Sequence, residues 1–428
     1  MTAPSRDTIF ALSSGALPAG IAVVRVSGPN AAQAIEKLAG NLPEPRRAVS
    51  ATLRWQGEML DRALVLWLPG PGTATGEDIS EFHLHGGRAV VAAVLAALAA
   101  QPGLRMAEPG EFTRRAFSNG KLDLAQAEGL ADLLAAETEA QRRQALRQAE
   151  GGLGKLIGGW RERLLGLAAR VEAAIEFAED EDDVPALAAA DLVGIGLLAD
   201  DMAAALSQPP AERLRDGVRI VVAGPTNAGK SSLINILAGR EAAIASPVAG
   251  TTRDLIEIPV AIAGMPCLLI DSAGLRDAGG HVEQIGMARA RAAIEAADLI
   301  LWLGPPAEVP DRDRSILVRT KADLGKMKGD GDVATSTVTG EGLDQLRALL
   351  EARVRRLLPP ADAIALNARH RERIGEAVTE LHAAAAQSEV LFIAEHLRQA
   401  RIALDRITGR AGVEEMLDAL FGRFCVGK

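Results

Sequence analysis

The chain has 428 residues, more than one hydrophobic core usually organises, so we expect two or three domains. Hydrophobic residues make up 48% and charged residues 24%, a balance that excludes wholesale disorder and predicts a globular protein. The 56 acidic and 47 basic side chains give a net charge of −9, which excludes a surface that is basic overall. Any contact with RNA must therefore be local.

The sequence carries no signal for export or membrane insertion. Two cysteines, Cys267 and Cys425, are too few for a disulfide framework. The N-terminal residues lack the charged-then-apolar pattern of a signal peptide, and the apolar stretches are shorter than the ~20 residues needed to cross a bilayer. We therefore expect a cytoplasmic protein with no membrane association.

The order of elements predicts a multidomain α/β plus α protein. Short β-branched runs around a helical stretch indicate an N-terminal α+β domain over 1–120. Helical spacing follows over 121–213, strands alternate with helices over 214–356, and helical spacing returns over 357–428. Because the termini of a domain often lie close together, we predict one helical domain interrupted by an inserted α/β domain. Two unrelated helical regions are the alternative.

A phosphate-binding loop opens the inserted domain. The run from Gly224 to Ser231 fits G-x-x-x-x-G-K-[ST] between a predicted strand and a predicted helix. Backbone N–H groups and the helix N-terminus would hold the phosphates, Lys230 would bridge the β- and γ-phosphates, and the Ser231 hydroxyl would bind magnesium. The sequence therefore predicts a P-loop nucleotide site.

Three further segments occur in the order expected of a GTPase. Asp271 closes an apolar strand and precedes Ser272-Ala273-Gly274, as a Walker-B carboxylate should, and Thr251 and Thr252 lie in the loop before it as switch residues. Thr320-Lys321-Ala322-Asp323 resembles the guanine-reading N-K-x-D, with Thr in place of Asn, so we predict GTP rather than ATP. Residues 336–338 occupy the place of the usual base-contacting loop as a weaker match.

Leu275 follows Gly274, where small GTPases carry the glutamine that orients the attacking water. An aliphatic side chain cannot take that role, so another residue must. Glu283 is the nearest candidate; an ordinary solvated carboxylate is the alternative.

The motifs together resemble the MnmE (TrmE) family of tRNA modification GTPases. The resemblance covers nearly the whole chain, through GIAVVRVSG at 20–28, TGEDISEFHLHGG at 75–87, the segment 108–128, the GTPase motifs, and the terminal FCVGK at 424–428. It implies GTP hydrolysis that depends on potassium and Mg²⁺, with Glu283 as the catalytic residue. The residues to which it assigns nucleotide contacts are Asn227, Ala228, Gly229, Lys230, Ser231, Ser232, Ser246, Pro247, Val248, Ala249, Gly250, Thr251, Thr252, Asp271, Ser272, Ala273, Gly274, Thr320, Lys321 and Asp323.

The resemblance also implies ligands and partners. Ser231 and Thr252 are the implied magnesium ligands. The potassium ligands are Asn227, Ser246, Val248 and Thr251, and the ligands of a formyl- or methylene-tetrahydrofolate are Arg25, Glu81, Lys121 and Lys428. The resemblance implies a homodimer that joins an FAD-dependent, MnmG-like partner in a heterotetramer and modifies C5 of the wobble uridine of certain tRNAs.

Three thiol and imidazole side chains have two interpretations each. Cys425 in the C-[IV]-G-K ending is a candidate nucleophile or a structural thiol, since no base is adjacent in sequence. His83 and His85 have the spacing of metal ligands, but without further Cys or His nearby a structural role at the end of a strand is favoured.

A ribosome-assembly or RNA-binding switch GTPase is the alternative function. It would need a basic RNA-binding appendage, and no G-x-x-G loop follows Pro360. A structural dimer with a vestigial GTPase domain is disfavoured by the intact Lys230, Ser231 and Asp271.

Overall fold

The structure is a computed structural model that describes residues 7–176, 188–241, 257–271, 290–324, 331–409, 417, 420–422 and 424–427. The chain forms two compact units. Unit 1 comprises Met1–Ala131 and Asp405–Lys428, and unit 2 comprises Asp132–Leu404.

Unit 1 is built on a six-stranded sheet of order β3-β4-β5-β2-β1-β6. Its elements are β1 (Thr8–Leu12), β2 (Ile21–Ser27), α1 (Ala31–Ala39), β3 (Val49–Trp55), β4 (Glu58–Leu68), β5 (Ile79–His85), α2 (Arg88–Ala99), β6 (Leu104–Met106), α3 (Glu111–Ser118) and α4 (Leu124–Ala135), of which the last four residues belong to unit 2. Helices α1 and α2 pack on one face, where Phe82 and Leu84 of β5 join a core with Ile35 and Val94. Because successive side chains of a strand point to opposite faces, the residue between Phe82 and Leu84 lies on the other face of the sheet.

The C-terminal segment packs onto the start of α3 and α4. Phe421 and Phe424 are buried in a cluster with Leu124. Gly110 has a φ of 69°, and a Cβ there would lie 2.3 Å from the carbonyl oxygen of Phe421, so both the conformation and the close approach require glycine.

A buried ion-pair network fixes α3 in unit 1. The Arg115 side chain is 7% exposed, and its Nη2 donates to Asp7 Oδ1 and Glu111 Oε1, each at 3.0 Å, while Nη1 lies 3.2 Å from Glu77 Oε2. Arg105, on β6, forms ion pairs with both Glu111 and Asp7. Burial raises the pKa of Glu111, but hydrogen bonds from Arg105, the Glu108 amide and Arg115 outweigh it and hold that pKa below its ordinary value.

Arg115→Met is expected to destabilise unit 1 by about 3–5 kcal/mol, because the mostly buried Glu77 would lose its counter-charge while Asp7 and Glu111 would keep only Arg105. Arg47→Met is the matched control: its partner Glu44 and its own side chain are both more than 70% exposed, and such pairs contribute about 0–1 kcal/mol. Urea unfolding of both variants measures the difference. Equal midpoints would contradict a structural role for the network.

Unit 2 contains a second sheet, of order β12-β11-β10-β7-β9-β8. Its strands are β7 (Val218–Ala223), β8 (Glu257–Ile262), β9 (Met265–Asp271), β10 (Leu299–Trp302), β11 (Ser315–Arg319) and β12 (Val333–Ala334). All neighbours are parallel except β8 and β9, so the mainly parallel sheet expected from the sequence carries one antiparallel edge strand. The strands are near-continuous apolar runs because both faces of the sheet are covered.

Helices precede, cover and follow this sheet. They are α5 (Glu139–Ala149), α6 (Gly152–Glu176), α7 (Ala189–Leu206), α8 (Glu212–Asp216), α9 (Lys230–Glu241), α10 (Leu343–Leu357), α11 (Ala368–Ala385) and α12 (Val390–Ile407). Helix α11, from beyond the sheet, packs along α7, from before it. Helical segments from both sides of the α/β region therefore pack together, as the inserted arrangement requires. Among the described residues, no helix is long and apolar enough to span a membrane.

Candidate functional site

The loop between β7 and α9 has the backbone of a phosphate cradle. Gly224, Asn227 and Gly229 have φ values of 149°, 57° and 89°, which turn the chain sharply before α9 begins. A Cβ at Gly224 would lie 3.0 Å from the carbonyl carbon of Leu303. A loop with this backbone at the N-terminus of a helix is suited to binding an anion.

Lys230 lies inside this loop. The residue is 5% exposed, and its Nζ donates to the carbonyl oxygens of Gly224 at 3.2 Å and Pro225 at 2.7 Å. These contacts hold the ammonium group at the centre of the loop, where it can pair with phosphate oxygens.

Ser231 and Asp271 meet beneath the loop. The Ser231 Oγ donates to Asp271 Oδ2 at 2.8 Å. The contact arises because β7 and β9 are parallel neighbours, with Val222 opposite Asp271, so their carboxyl ends share one edge of the sheet. A hydroxyl and a carboxylate oxygen are the hard ligands that Mg²⁺ prefers.

The segment that resembles N-K-x-D lies beside the loop and is positioned by a serine. Ser336 is fully buried, and its Oγ donates to Asp323 Oδ1 at 2.6 Å while accepting the backbone N–H groups of Val338 and Thr339. This contact fixes the carboxylate expected to read guanine. The sequence predicted a base-contacting loop at 336–338. It did not predict the contact between Ser336 and Asp323, because these two residues are separated along the chain.

Thr320 ties the base-reading segment to the phosphate loop. Its Oγ1 donates to the Ala228 carbonyl oxygen at 2.6 Å, and the adjacent Lys321 Nζ donates to the Asn227 carbonyl oxygen at 3.0 Å. The hydroxyl therefore supplies a link between the two segments at the position where the motif usually carries an asparagine.

Thr320→Val is expected to weaken GDP binding about fivefold, since a hydrogen bond worth ~1 kcal/mol is lost and a methyl group faces the Ala228 carbonyl. Thr320→Ser, which keeps the hydroxyl, is the control and should bind normally. Titration calorimetry with GDP compares them. Equal affinity of the valine and serine variants would show that the link is dispensable.

In unit 1 the structure brings Arg25 and Glu81 together. They are cross-strand neighbours on β2 and β5, and Arg25 Nη2 and Nε donate to Glu81 Oε1 at 2.8 and 3.0 Å. His83 Nε2 lies 3.3 Å from Glu81 Oε2. Burial raises the pKa of Glu81, but the Arg25 charge and hydrogen bonds from Arg25 and His83 hold it below its ordinary value. The carboxylate is thus ionised and half-buried.

The other candidates in unit 1 occupy separate positions. Lys121 follows α3, and its side chain passes Gly76, where a Cβ would lie 3.0 Å from the lysine Cε. Cys425 is exposed, next to Val426, whose backbone forms a bridge with Pro109. Among the described residues, no hydrogen bond or ion pair joins Lys121 or Cys425 to Arg25 or Glu81.

Several predicted residues lie outside the described part of the chain: Ser246, Pro247, Val248, Ala249, Gly250, Thr251, Thr252, Ser272, Ala273, Gly274, Glu283 and Lys428. Ser232 is described and is exposed on α9. Within the described ranges, no group of three or more His, Cys, Asp or Glu side chains is placed to hold a metal ion, and this includes His83 and His85.

The chain matches known proteins over nearly its whole length. A family model for the MnmE helical domain matches residues 124–425, and a model for the GTP-binding protein TrmE N-terminus matches residues 8–121. The tRNA modification GTPase MnmE of Erythrobacter litoralis is 55% identical over 99% of this chain and 100% of its own length. The protein of the same name from Novosphingobium aromaticivorans is 53% identical over 99% and 100%.

Solved structures match part of the chain. The G domain of the T. maritima FeoB iron transporter is 26% identical, with 32% of this chain and 98% of that chain covered and a TM-score of 0.23.

Proposed function

The chain belongs to the MnmE family of tRNA modification GTPases, and on that premise we propose that its GTP hydrolysis requires potassium and Mg²⁺ and drives a one-carbon-dependent modification at C5 of the wobble uridine. The proposal that this chain binds GTP with Mg²⁺ rests on the contact between Ser231 and Asp271 beneath the phosphate loop. The proposal includes a cytoplasmic homodimer that works with an FAD-dependent, MnmG-like partner on tRNA.

The residues around the phosphate loop suit GTP and Mg²⁺. Ser231 with Asp271 offers oxygen ligands for the metal ion, directly or through water, and Thr252 would add a second hydroxyl. Lys230 would neutralise phosphate charge, and Asp323 would accept hydrogen bonds from the guanine ring while Ser336 holds it in place. Magnesium, when bound, supplies positive charge to the β- and γ-phosphate oxygens.

Potassium would supply the charge that an arginine finger provides in other GTPases. Asn227 is exposed in a left-handed turn of the phosphate loop, a conformation that asparagine adopts more often than most residues, and its side-chain amide oxygen can serve as a ligand. Ser246, Val248 and Thr251 complete the proposed set. Glu283 is proposed to orient or polarise the attacking water, since Leu275 cannot.

GTP turnover is expected to fall by roughly 10²-fold when sodium replaces potassium, the size of the effect when one preorganised charge-stabilising group is removed. Steady-state hydrolysis at matched ionic strength measures it. Nucleotide affinity in the two salts is the control and should stay similar. Equal turnover in both salts would contradict the potassium site.

The half-buried Arg25 and Glu81 suit a tetrahydrofolate derivative. A carboxylate can accept two hydrogen bonds from the amino-pyrimidinone edge of a pterin, and a guanidinium group can pair with anionic or carbonyl oxygens. Lys121 and Lys428 are proposed to contribute further positive charge. Cys425 is proposed as the nucleophile of this unit. The bound folate would supply the one-carbon unit that the uridine receives.

Nucleoside analysis of tRNA tests the whole proposal. A strain that lacks this gene should lose the modification at the wobble uridine, and the wild-type gene should restore it. A Glu81→Gln variant should bind the folate derivative more weakly while its GTP turnover stays normal. Unaltered wobble nucleosides in the deletion strain would contradict the proposed substrate.

A further inference from the structure

A cavity of about 720 Å³ lies in unit 2, apart from the phosphate loop. Four stretches of the chain line it: α5, the linker that leads through α8, the turn between β8 and β9, and the end of α10 with the residues that follow. The volume falls within the ~300–1,000 Å³ of pockets that hold small molecules. The cavity is therefore large enough for a ligand of that class.

The cavity is at the opposite edge of the sheet from the nucleotide site. Met265, in its wall, begins β9, whereas Asp271 ends that strand beneath the phosphate loop. Six positions along the strand separate them, about 20 Å. Leu214, also in the wall, lies in α8 just before β7, whereas the phosphate loop follows β7. A ligand in the cavity would therefore leave the nucleotide site free.

Hydrogen bonds from α5 join it to two of the other stretches. The Ala140 backbone N–H donates to the Gly264 carbonyl oxygen at 3.2 Å, which ties α5 to the turn between β8 and β9. The Arg147 guanidinium donates to the carbonyl oxygen of Ala361, beyond α10. Because these walls are held by one helix, the cavity is formed before any ligand binds, and binding need not order them.

Apolar side chains make up much of the lining. Leu214, Met265 and Leu358 are buried, and Pro209 and Pro359 are half-buried around the same space. Apolar surface that a ligand places against these residues is removed from water, which favours binding. Part of a matching ligand must therefore be apolar.

The charged side chains of the lining are mainly basic. Among the described residues, the cavity is lined by three arginines and one acidic residue: Arg143, Arg355, Arg356 and Glu139. Arg143 Nε donates to Glu139 Oε1 at 2.6 Å, and Arg355 Nη2 donates to Glu351 Oε1 at 2.7 Å. Within the described part of the chain, Arg356 has no hydrogen-bond or ion-pair partner. One positive charge at the cavity is thus not compensated by the chain.

We propose that this cavity binds a small amphipathic carboxylate, whose carboxylate group pairs with Arg356 and whose apolar body packs against Leu214 and Met265. One uncompensated charge matches a monoanion rather than a doubly charged phosphate. A guanidinium group can also donate to both oxygens of a carboxylate at once. Because the cavity is separate from the nucleotide site, the inference does not rest on the proposed function.

The test is titration calorimetry of the full-length chain with octanoate, an eight-carbon carboxylate, below the concentration at which it forms micelles. We expect one saturable site per chain. 1-Octanol, which has the same apolar body without the charge, should bind at least tenfold more weakly, since a hydrogen bond to a charged group is lost. Octanoate should also bind when GDP already saturates the chain.

Arg356→Gln should weaken octanoate binding about tenfold or more, because the ligand loses its charged partner. Arg347→Gln is the matched control: Arg347 is exposed on α10 nine positions earlier, which places it on the opposite side of the helix. Ala361→Trp adds an indole ring to the cavity wall and should reduce octanoate binding by filling the space. A thermal melt of each variant verifies folding.

Three results would overturn the proposal. The first is the absence of saturable octanoate binding to the folded wild-type chain. The second is equal affinity for octanoate and 1-octanol, or equal octanoate affinity in the Arg356 and Arg347 variants, which would show Arg356 to be an ordinary solvated side chain. The third is displacement of octanoate by GDP, which would place it in the nucleotide site. None of these measurements requires GTP turnover or tRNA modification.

Discussion

Lys230→Ala is expected to abolish tight nucleotide binding, with an affinity loss of roughly 10²- to 10³-fold for both GDP and GTP. The Lys230 ammonium lies within the phosphate loop, held by the Gly224 and Pro225 carbonyl oxygens. Without it, the phosphates would be enclosed by the loop without their principal counter-charge, and a lost partner of a desolvated charge costs about 3–5 kcal/mol. Fluorescent-nucleotide titration measures the change.

Lys155→Ala on α6 serves as the control, because that lysine is exposed in the same unit and should leave affinity unchanged. Circular dichroism should show both variants folded. Retained GTP affinity in the Lys230 variant would contradict its role at the phosphates.

Glu283→Ala is expected to lower GTP turnover by roughly 10²- to 10⁴-fold while nucleotide affinity changes little. A residue that orients or polarises the attacking water acts mainly in the transition state, so its removal lowers kcat without a uniform loss of binding. Steady-state hydrolysis in potassium, beside a titration with a non-hydrolysable analogue, separates the two effects.

Glu295→Ala, an exposed glutamate in the same domain, is the matched control and should turn over normally. An unchanged kcat in the Glu283 variant would indicate that Glu283 is an ordinary solvated carboxylate. Asp277 or a residue from a second subunit would then be the next candidate.

The sequence by itself determined the elements whose signals are local. The helical stretch expected among the β-branched runs of the N-terminal domain is present as Ala31–Ala39, because its apolar spacing lies between turn residues on both sides. The phosphate loop was also recognisable, since its glycines and Lys230 are needed at fixed offsets to turn the backbone and meet the phosphates. The family followed from several such segments taken together, and full-length relatives confirm it.

Only the tertiary structure decided which distant side chains meet. The contact between Ser336 and Asp323, the Thr320 hydroxyl on the Ala228 carbonyl, and the buried Asp61 behind His85 all join separate segments. No spacing rule predicts them, because strand order and register set these distances, and both depend on how the whole core packs. The sequence around His85 favours a structural role at the end of a strand. Its buried carboxylate partner, Asp61, comes from the neighbouring strand, so only the structure reveals the contact.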